Sequence, residues 1–500
     1  MAQERATYLR GSQLKIDSNT MQIAIRENIA GANLQPVLRN AVSSTDHMNR
    51  LVSVLFWSVI SAAFIGPGTV TVAASAGASF TYELLWTLVF STIACLVLQE
   101  ASARLTVMSG RNLGQALRQR YPGGVAGTAV LLLVLGAVVL GCAAYEAGNI
   151  LGGVAGAALA LPLSPRALTL LTVAGAGILL WFSSPRKVAL VLSALVAIMG
   201  LAFLLTSVRL APPVWELVRG SLAPRLPEGS ALLAAALVGT TVVPYNLFLG
   251  SGLALGQRLG ELRFGLTVAV VIGGLISMGV VIVGAATEPP LEFSRLSEVL
   301  TERLGGWARY LFAFGLFSAG LSSAVTAPLA AAITARSVLA REGSGSSSAS
   351  RSLWSDESFR FRAVWIGVLG VGLLFGMSGM PPVPVIILAQ ALNGILLPGV
   401  AVFLLIAVND RRLMGENENH LISNLLMSGI VLVSLFLGLM NLGKAATRAL
   451  GLRAPAADQI ILVTAVAAAV IAIPVWRTAF QKSSEIAAGS EENTNGGVEG

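Results

Sequence analysis

Twelve long apolar runs dominate this chain, and each is about as long as a helix that crosses a bilayer. Such a helix needs about 20 mostly apolar residues, and charged residues make up only 12% of the 500-residue sequence, against about 25% in an average soluble protein. The predicted spans are 51–77, 84–103, 124–154, 166–183, 187–207, 230–255, 263–286, 307–335, 363–380, 384–408, 421–442 and 458–476. The sequence therefore predicts an all-α integral membrane protein with about 12 transmembrane helices, and it excludes a soluble enzyme and a nucleic-acid binder.

The basic residues predict how this protein is oriented in the cell membrane. An even number of spans places both termini on one side, and on this topology 23 of the 33 Lys and Arg residues lie on that side and 10 on the other. Because cytoplasmic loops are enriched in Lys and Arg, both termini are predicted to be cytoplasmic. Residues 1–50 are polar and predict a cytoplasmic tail rather than a signal peptide, and 478–500 has the composition of a disordered tail.

Few residues outside the apolar runs indicate enzymatic chemistry. Cys95 and Cys142 lie inside spans, where we expect them to act as small hydrophobic residues. His47 and His420 fall in loops, so no histidine site within the membrane is expected. No P-loop or soluble nucleotide domain occurs. We therefore expect no enzymatic activity, no cofactor and no nucleotide partner, but a lipid bilayer and a small solute or ion as substrate.

Two of the predicted spans are interrupted by proline near their middle. The first contains Ile65–Thr69, with the sequence IGPGT, and the sixth contains Val242–Asn246, with the sequence VVPYN. Proline removes a backbone donor and clashes with the preceding turn. The unpaired groups are costly in hydrocarbon unless they face protein, water or a ligand. A packing kink would explain one such break, because Gly and Pro are common in membrane helices.

The positions of the two breaks predict an inverted repeat. Each break lies in the first helix of a five-helix unit, 51–207 and 230–408, and the spans in 409–477 follow the second unit. Because five is odd, the second unit enters from the opposite face, which would bring both breaks to the midplane. Corresponding interrupted helices are the best sequence indication of a transporter's binding site. Backbone carbonyls there can face a cation, and half-helix N-termini can face an anion.

Five sequence stretches resemble one family of transporters. Gly239–Ser251 reads GTTVVPYNLFLGS and resembles GATVMPHNLYLHS in the natural resistance-associated macrophage protein (NRAMP) divalent-metal transporters. The other similar stretches are 97–122, 314–330, 387–399 and 413–416, within a resemblance that runs from about residue 50 to 442. The resemblance implies a LeuT-like 5+5 inverted repeat with discontinuous helices 1 and 6, and secondary-active transport of a divalent metal cation by alternating access.

The sequence departs from this family at the positions that bind metal. Gly66 stands at the carboxylate position of the family's DPGN motif, and Thr69 stands at its amide position. Val243 replaces the family's Met, Tyr245 its first His and Gly250 its second. A transition metal prefers carboxylate, imidazole or sulfur ligands, so the family's selectivity for manganese or iron is not expected to carry over.

The remaining residues predict a neutral binding site. The predicted substrate-binding residues are Gly66, Gly68, Thr69, Thr240, Val243, Tyr245, Asn246, Gln390 and Asn393. Thr69, Asn246 and Gln390 would be weak oxygen ligands, which suit a hard ion such as magnesium that keeps several waters. An uncharged pocket would equally suit a small organic solute such as an amino acid, with Gly66 and Gly68 letting the backbone approach a carboxylate. A non-transporting receptor or scaffold is a third alternative.

Glu146 is an acidic residue well inside a predicted span. The resemblance aligns Glu146 with the family's proton-linked Asp and Asn149 with its Glu, so both are predicted coupling residues. A substrate contact or a structural hydrogen bond are alternatives for Glu146. The stretch 365–379 lacks the arginines of the family's ninth helix, which leaves proton coupling open.

Two further pairs of polar residues lie in predicted spans. Glu100 and Arg104 stand at i, i+4 and predict an ion pair for structure or gating. Ser322 and Ser323 lie in the eighth span, near the place where coupling ions bind in the broader fold class. Serine in membrane helices more often forms interhelical contacts.

Overall fold

The computed structural model of the chain describes residues 65–121, 124–182, 186–340, 353–449 and 459–477, and their regular secondary structure is entirely helical. These residues all belong to one compact unit. The predicted tails 1–50 and 478–500 lie outside the described residues.

Seventeen helices make up the described ranges. The first nine are α1 Pro67–Phe80, α2 Leu85–Ser109, α3 Leu113–Arg120, α4 Gly124–Ala158, α5 Pro165–Trp181, α6 Arg186–Arg209, α7 Val214–Leu222, α8 Ala231–Thr241 and α9 Pro244–Leu253. The remaining eight are α10 Leu259–Gly284, α11 Phe293–Leu304, α12 Trp307–Leu339, α13 Phe359–Met377, α14 Pro382–Ala407, α15 Arg411–Met414, α16 Leu421–Ala449 and α17 Gln459–Arg477.

The described helices agree with the predicted spans. Ten helical segments are long and apolar enough to cross a membrane, with α8 and α9 together forming one of them. Of the two other predicted spans, α5 is apolar but has 17 residues, and α1 begins at Pro67, with the residues before Ile65 outside the described ranges. The prediction of an all-α membrane protein is confirmed.

Some predicted loops contain short helices that the apolar runs did not indicate. They are α3, α7, α11 and α15. In α3, the Asn112 side chain accepts from the Gln115 backbone, while the Gln115 side chain accepts from the Asn112 backbone. This capping box satisfies two donors at the helix start, so a polar eight-residue helix forms without being a span.

Small residues let the helices around the centre of the bundle pack closely. A β-carbon placed on Gly153 of α4 would lie 3.4 Å from the α-carbon of Gly320 in α12. A β-carbon on Gly239 of α8 would lie 2.0 Å from the backbone oxygen of Gln390 in α14. Glycine at such contacts brings helix backbones together where lipid supplies no hydrophobic drive for association. These contacts fix α4, α8, α12 and α14 around the site.

The two cysteines behave as the sequence predicts. Cys95 in α2 and Cys142 in α4 are buried and free. Large apolar side chains such as Leu171, Leu374 and Leu388 are instead exposed on the described helices, as expected for surfaces in contact with hydrocarbon.

Candidate functional site

The sixth predicted span is broken where the sequence places its proline. α8 ends at Thr241 and α9 begins at Pro244. Between them Val242 (φ −106°, ψ 82°) is not helical and Val243 (φ −85°, ψ 123°) is extended. Pro244 has no backbone N–H to donate to α8, so the helical hydrogen-bond ladder stops there. The predicted discontinuity is confirmed.

The first predicted span shows one side of its break. Gly66 is extended (φ −92°, ψ 176°) and caps α1, which begins at Pro67. Proline suits the first position of a helix, where its missing N–H would have had no partner. α1 and α9 therefore begin in the same way, each with a proline after an extended residue.

The two interrupted segments meet through threonine side chains. The hydroxyl oxygens of Thr69 in α1 and Thr240 in α8 are 2.9 Å apart and share a hydrogen bond. Both residues are buried. Two predicted site residues that are 171 positions apart in sequence are thus in direct contact.

Gln390 of α14 lies directly against the first break. A β-carbon on Gly68 would be 2.1 Å from the Gln390 side-chain nitrogen, so glycine is required for the amide to lie where it does. Gln390 is completely buried, and neither its Nε2 nor its Oε1 has a hydrogen-bond partner. The amide is held beside the start of α1 with its hydrogen-bonding capacity unused.

Other buried polar groups near the break also lack partners. Both side-chain polar atoms of Asn246, in the first turn of α9, are unpaired, and so is the Tyr245 hydroxyl. Asn393 donates to the Ala389 carbonyl over 3.3 Å, but its Oδ1 has no partner and faces Gly141 of α4. Buried polar groups are nearly always hydrogen-bonded in proteins, so this accumulation indicates a place where a ligand or its waters bind.

Two residues next to the break were not among the nine predicted substrate-binding residues, although the sequence predicts Ser323 to lie near a coupling-ion position. A β-carbon on Gly66 would lie 3.3 Å from Ser323 Oγ and 3.8 Å from the Tyr145 hydroxyl. Ser323 is buried and its hydroxyl is unpaired. The Tyr145 ring packs edge-on against Tyr245 at a centroid distance of 5.5 Å. Tyr145 immediately precedes Glu146 in the sequence. Its position next to this predicted coupling residue was the signal that could have identified Tyr145.

Glu146 points toward α13 as well as lying beside the site. Its Oε2 accepts a hydrogen bond from Asn149 Nδ2 over 3.4 Å, while its Oε1 and Asn149 Oδ1 have no partner. A β-carbon on Gly372 of α13 would be 2.9 Å from Glu146 Cγ. Glu146 is fully buried, and it faces glycine where the family carries a charged ninth helix.

The chemistry of this site is that of neutral oxygen and nitrogen atoms. In the described ranges, no group of three or more His, Cys, Asp or Glu residues could hold a metal ion. The side chains at the break are hydroxyls of Thr69, Thr240 and Ser323 and amides of Asn246 and Gln390. The starts of α1 and α9 add the partial positive charge of two helix N-termini. The site can therefore solvate a hydrated ion or hold a small polar molecule.

The buried guanidinium of Arg104, unlike the unpaired polar groups at the break, has hydrogen-bond partners. Arg104 donates through Nε to Glu100 over 3.2 Å, through Nη1 to the Asn417 carbonyl over 3.1 Å and through Nη2 to Asn419 Oδ1. Arg263 of α10 donates to the same Glu100 oxygen over 2.6 Å. We call these five residues the Arg104 network. It joins α2 and α10 to the segment after α15.

Comparisons with known proteins agree with this architecture. A family profile described as "Natural resistance-associated macrophage protein-like" matches residues 58–444. The divalent metal cation transporter MntH of Aeromonas hydrophila is 27% identical over 81% of this chain and 98% of its own length. Metal transporter Nramp3 of Oryza sativa is 30% identical over 54% of this chain and 53% of its own.

Solved structures share the fold. A manganese transporter of Eremococcus coleocola, in complex with an aromatic bis-isothiourea substituted compound, superposes with a TM-score of 0.63 at 17% identity, covering 86% of this chain and 94% of its own. Mhp1, a nucleobase-cation-symport-1 family transporter in a closed conformation with bromovinylhydantoin bound, gives 0.51 at 15% identity over 85% and 92%. At these identities the likeness shows the fold, which is the predicted inverted repeat.

Proposed function

Because the chain belongs to the natural resistance-associated macrophage protein (Nramp) family, as its motifs predict, we propose that it transports a hard divalent cation, with magnesium favoured over manganese and iron. Transport is secondary-active and proceeds by alternating access through the site where the two broken helices meet. Relatives that are named divalent metal cation transporters support the charge of the substrate. The replacement of ligands at Gly66, Val243 and Tyr245 supports a hard ion.

The observation that carries this proposal is the cluster of unpaired neutral groups at the break. Magnesium loses its waters reluctantly and is usually bound with several of them retained. Amide oxygens of Asn246 and Gln390 and the hydroxyl of Ser323 accept hydrogen bonds from such waters without contacting the ion. A soft or borderline ion would gain little here, because the site offers no thioether, imidazole or carboxylate at the family's positions.

Glu146 is the residue we propose for coupling, with Asn149 as its hydrogen-bonding partner. A carboxyl group inside a membrane-spanning helix is costly when ionised and commonly marks an ion or proton pathway. Glu146 has one unpaired oxygen and lies one residue after Tyr145, which contacts Tyr245. Proton movement at this group would therefore take place next to the substrate site. Both termini, in this proposal, lie in the cytoplasm, as the distribution of basic residues predicts.

The test is uptake by proteoliposomes that contain the full chain. Vesicles are offered magnesium or manganese at equal concentrations, and intravesicular metal is measured by a fluorescent indicator. We expect magnesium uptake that exceeds manganese uptake and that disappears in protein-free vesicles. Manganese uptake equal to or greater than that of magnesium would contradict the hard-ion assignment while leaving transport by this family intact.

A second candidate substrate is a small zwitterionic molecule such as an amino acid. The observation that favours it is that α1 and α9 begin at the breaks, at Pro67 and Pro244, where Gly66 stands at the family's carboxylate position. Helix N-termini favour negative charge, so they suit a carboxylate better than a cation. Binding heats measured with a panel of amino acids distinguish this candidate from a metal transporter. If neither metal uptake nor amino-acid binding were detected, the protein would be a receptor or scaffold.

A further inference from the structure

A cavity of about 530 Å³ lies among α4, α8, α13, α14 and α16, apart from the substrate site. None of its lining residues is one of the nine predicted substrate-binding residues. All of the lining side chains are apolar except Asn441 and Lys444 of α16. We call it the α14–α16 groove. A volume of this size lies in the range of small-molecule pockets, about 300–1,000 Å³.

The groove opens onto apolar surface. Leu388 of α14, which lines it, is 64% exposed, and Leu232 of α8 is 39% exposed. The helices that bear these residues, α8 and α14, belong to segments apolar enough to cross a membrane. The medium at this opening is therefore hydrocarbon, and the molecules available to fill the groove are lipid chains.

The length of the groove matches one leaflet. Its lining along α14 extends from Val385 to Ile395, ten residues on, which at 1.5 Å per residue is about 15 Å. The hydrocarbon core of a bilayer is about 30 Å thick, so one leaflet is about 15 Å deep. The groove begins near Pro382, where α14 starts, and ends beyond Gln390, at the depth of the substrate site.

A lysine lies where the polar part of a lipid would be. Lys444 is five residues before the end of α16 and shares the groove with Val385, which is three residues after the start of α14. Among the described residues, none of the five ion pairs includes Lys444. Asn441, one turn away, donates to the carbonyls of Ala231 and Leu437. A cation therefore lies at the outer part of an apolar groove, without a carboxylate partner in the part of the chain that the structure describes.

We propose that the α14–α16 groove binds an anionic phospholipid, with one acyl chain along α14 and the phosphate paired with Lys444. The acyl chain contacts Ala147, next to Glu146, and Ala389 and Ala391, which flank Gln390. The lipid thus packs against the two helices that hold the coupling residue and the buried amide. This assignment is independent of which substrate is transported.

The preference of the groove for an anionic lipid is tested by native mass spectrometry. The full chain is purified and exchanged into micelles that contain phosphatidylglycerol or phosphatidylcholine. We expect selective retention of one phosphatidylglycerol, and about fivefold weaker retention in Lys444→Gln, the contribution of one lysine near an anionic surface. Arg166→Gln is the matched control, because Arg166 is exposed at the start of α5 and does not line the groove. Equal retention of the two lipids, or no change in Lys444→Gln, would overturn the proposal.

The groove itself is tested by filling it. Ala445→Trp places a large ring in the lining, whereas Ala446→Trp places the same ring on the next exposed residue of α16, outside the lining. We expect lipid retention to fall in the first variant alone. Leu388→Asn, at an exposed lining position, replaces Ala445→Trp if that variant is not monodisperse. Equal retention in the groove variant and in Ala446→Trp would place the lipid elsewhere and refute the assignment.

Discussion

The break between α8 and α9 and the Arg104 network are both buried polar regions, but they differ in how their polar atoms are paired. At the break, both polar atoms of Gln390 and of Asn246 lack partners. In the network, Arg104 donates to three different acceptors, and Asn419 both accepts from Arg104 and donates to Asn424. Similar polar side chains are therefore left unpaired at the break but are hydrogen-bonded to one another in the Arg104 network.

This difference in hydrogen-bond pairing distinguishes a binding site from a network that stabilises the fold. A buried polar group without a partner costs about 1–3 kcal/mol, whereas a hydrogen bond to a charged group stabilises by about 1.5–3 kcal/mol. A fold that keeps several unpaired groups in one place gives up stability there, and a ligand that binds to them recovers it. Substitutions of the unpaired groups at the break should thus lower transport but not stability, whereas substitutions in the Arg104 network should lower stability but not transport.

The largest expected effect is the loss of transport in Asn246→Leu. Leucine has a similar size and removes two unpaired polar atoms, so the unfolding temperature should stay the same or rise. Transport should fall about 5- to 150-fold, because two hydrogen bonds to the substrate or its waters, together worth about 1–3 kcal/mol, are lost. Proteoliposome flux and thermal unfolding in detergent are measured on the same preparation.

Asn424→Leu is the matched control for that substitution. Asn424 is also buried, but it exchanges two hydrogen bonds of 2.8 Å with Asn409 and accepts another from Asn419. We expect its unfolding temperature to fall and its flux per folded molecule to change little. If Asn246→Leu lost stability like Asn424→Leu and retained its flux, the break would be a structural region and not a site.

Next in size is the loss of stability in Arg104→Met. Arg104 has only 10% of its side chain exposed, and its removal leaves acceptors on Glu100, Asn417 and Asn419 without this donor. We expect the free energy of unfolding to fall by about 2–3 kcal/mol, measured by denaturant titration in detergent. Transport per folded molecule should remain close to that of the wild type.

Arg263→Met removes the other arginine that pairs with Glu100, one whose side chain is largely exposed. Arg263 pairs with Glu100 over 2.6 Å, but 52% of its side chain is exposed, and exposed ion pairs contribute about 0–1 kcal/mol. We therefore expect a clearly smaller loss than in Arg104→Met. Equal losses would mean that burial does not set the contribution of the network.

Much of this fold could be predicted from the sequence, because the membrane restricts what the backbone can do. Apolar runs of sufficient length have to be helices. A proline can interrupt such a helix, as it does at Pro244, although α12 and α14 continue through Pro328 and Pro398. The i, i+4 spacing of Glu100 and Arg104 predicts their ion pair, which forms. These predictions depend on local chemistry that a single segment contains.

The composition of the site was harder to predict, because it depends on which helix faces are brought together. Ser323 and Tyr145 lie beside Gly66 only through the packing of α12 and α4 against α1. Nothing in the sequence around Arg263 indicates that it shares the carboxylate of Glu100, which is 163 residues away. Such contacts follow from the register of glycine-lined helix faces, which periodicity along one helix does not specify.

A several-fold loss of transport is expected in Glu146→Gln. Glutamine keeps a hydrogen-bonding oxygen for Asn149 but cannot exchange a proton, so flux should fall and its dependence on pH should flatten. Flux is measured in proteoliposomes across a series of external pH values. Asn149→Asp tests the partner, and flux in Glu146→Gln that equals that of the wild type at every pH would return Glu146 to a structural role.

A similarly small effect is expected for the coupling between Thr69 and Thr240, the direct contact between the two broken helices. A double-mutant cycle with Thr69→Val and Thr240→Val should give a coupling of about 0.5–1.5 kcal/mol in the free energy of unfolding. Thr71 provides the control, because its hydroxyl donates to the Pro67 carbonyl of its own helix over 2.7 Å. Thr71→Val combined with Thr240→Val should therefore be additive. Additivity in the Thr69 cycle as well would show that the two breaks do not stabilise one another through this hydrogen bond.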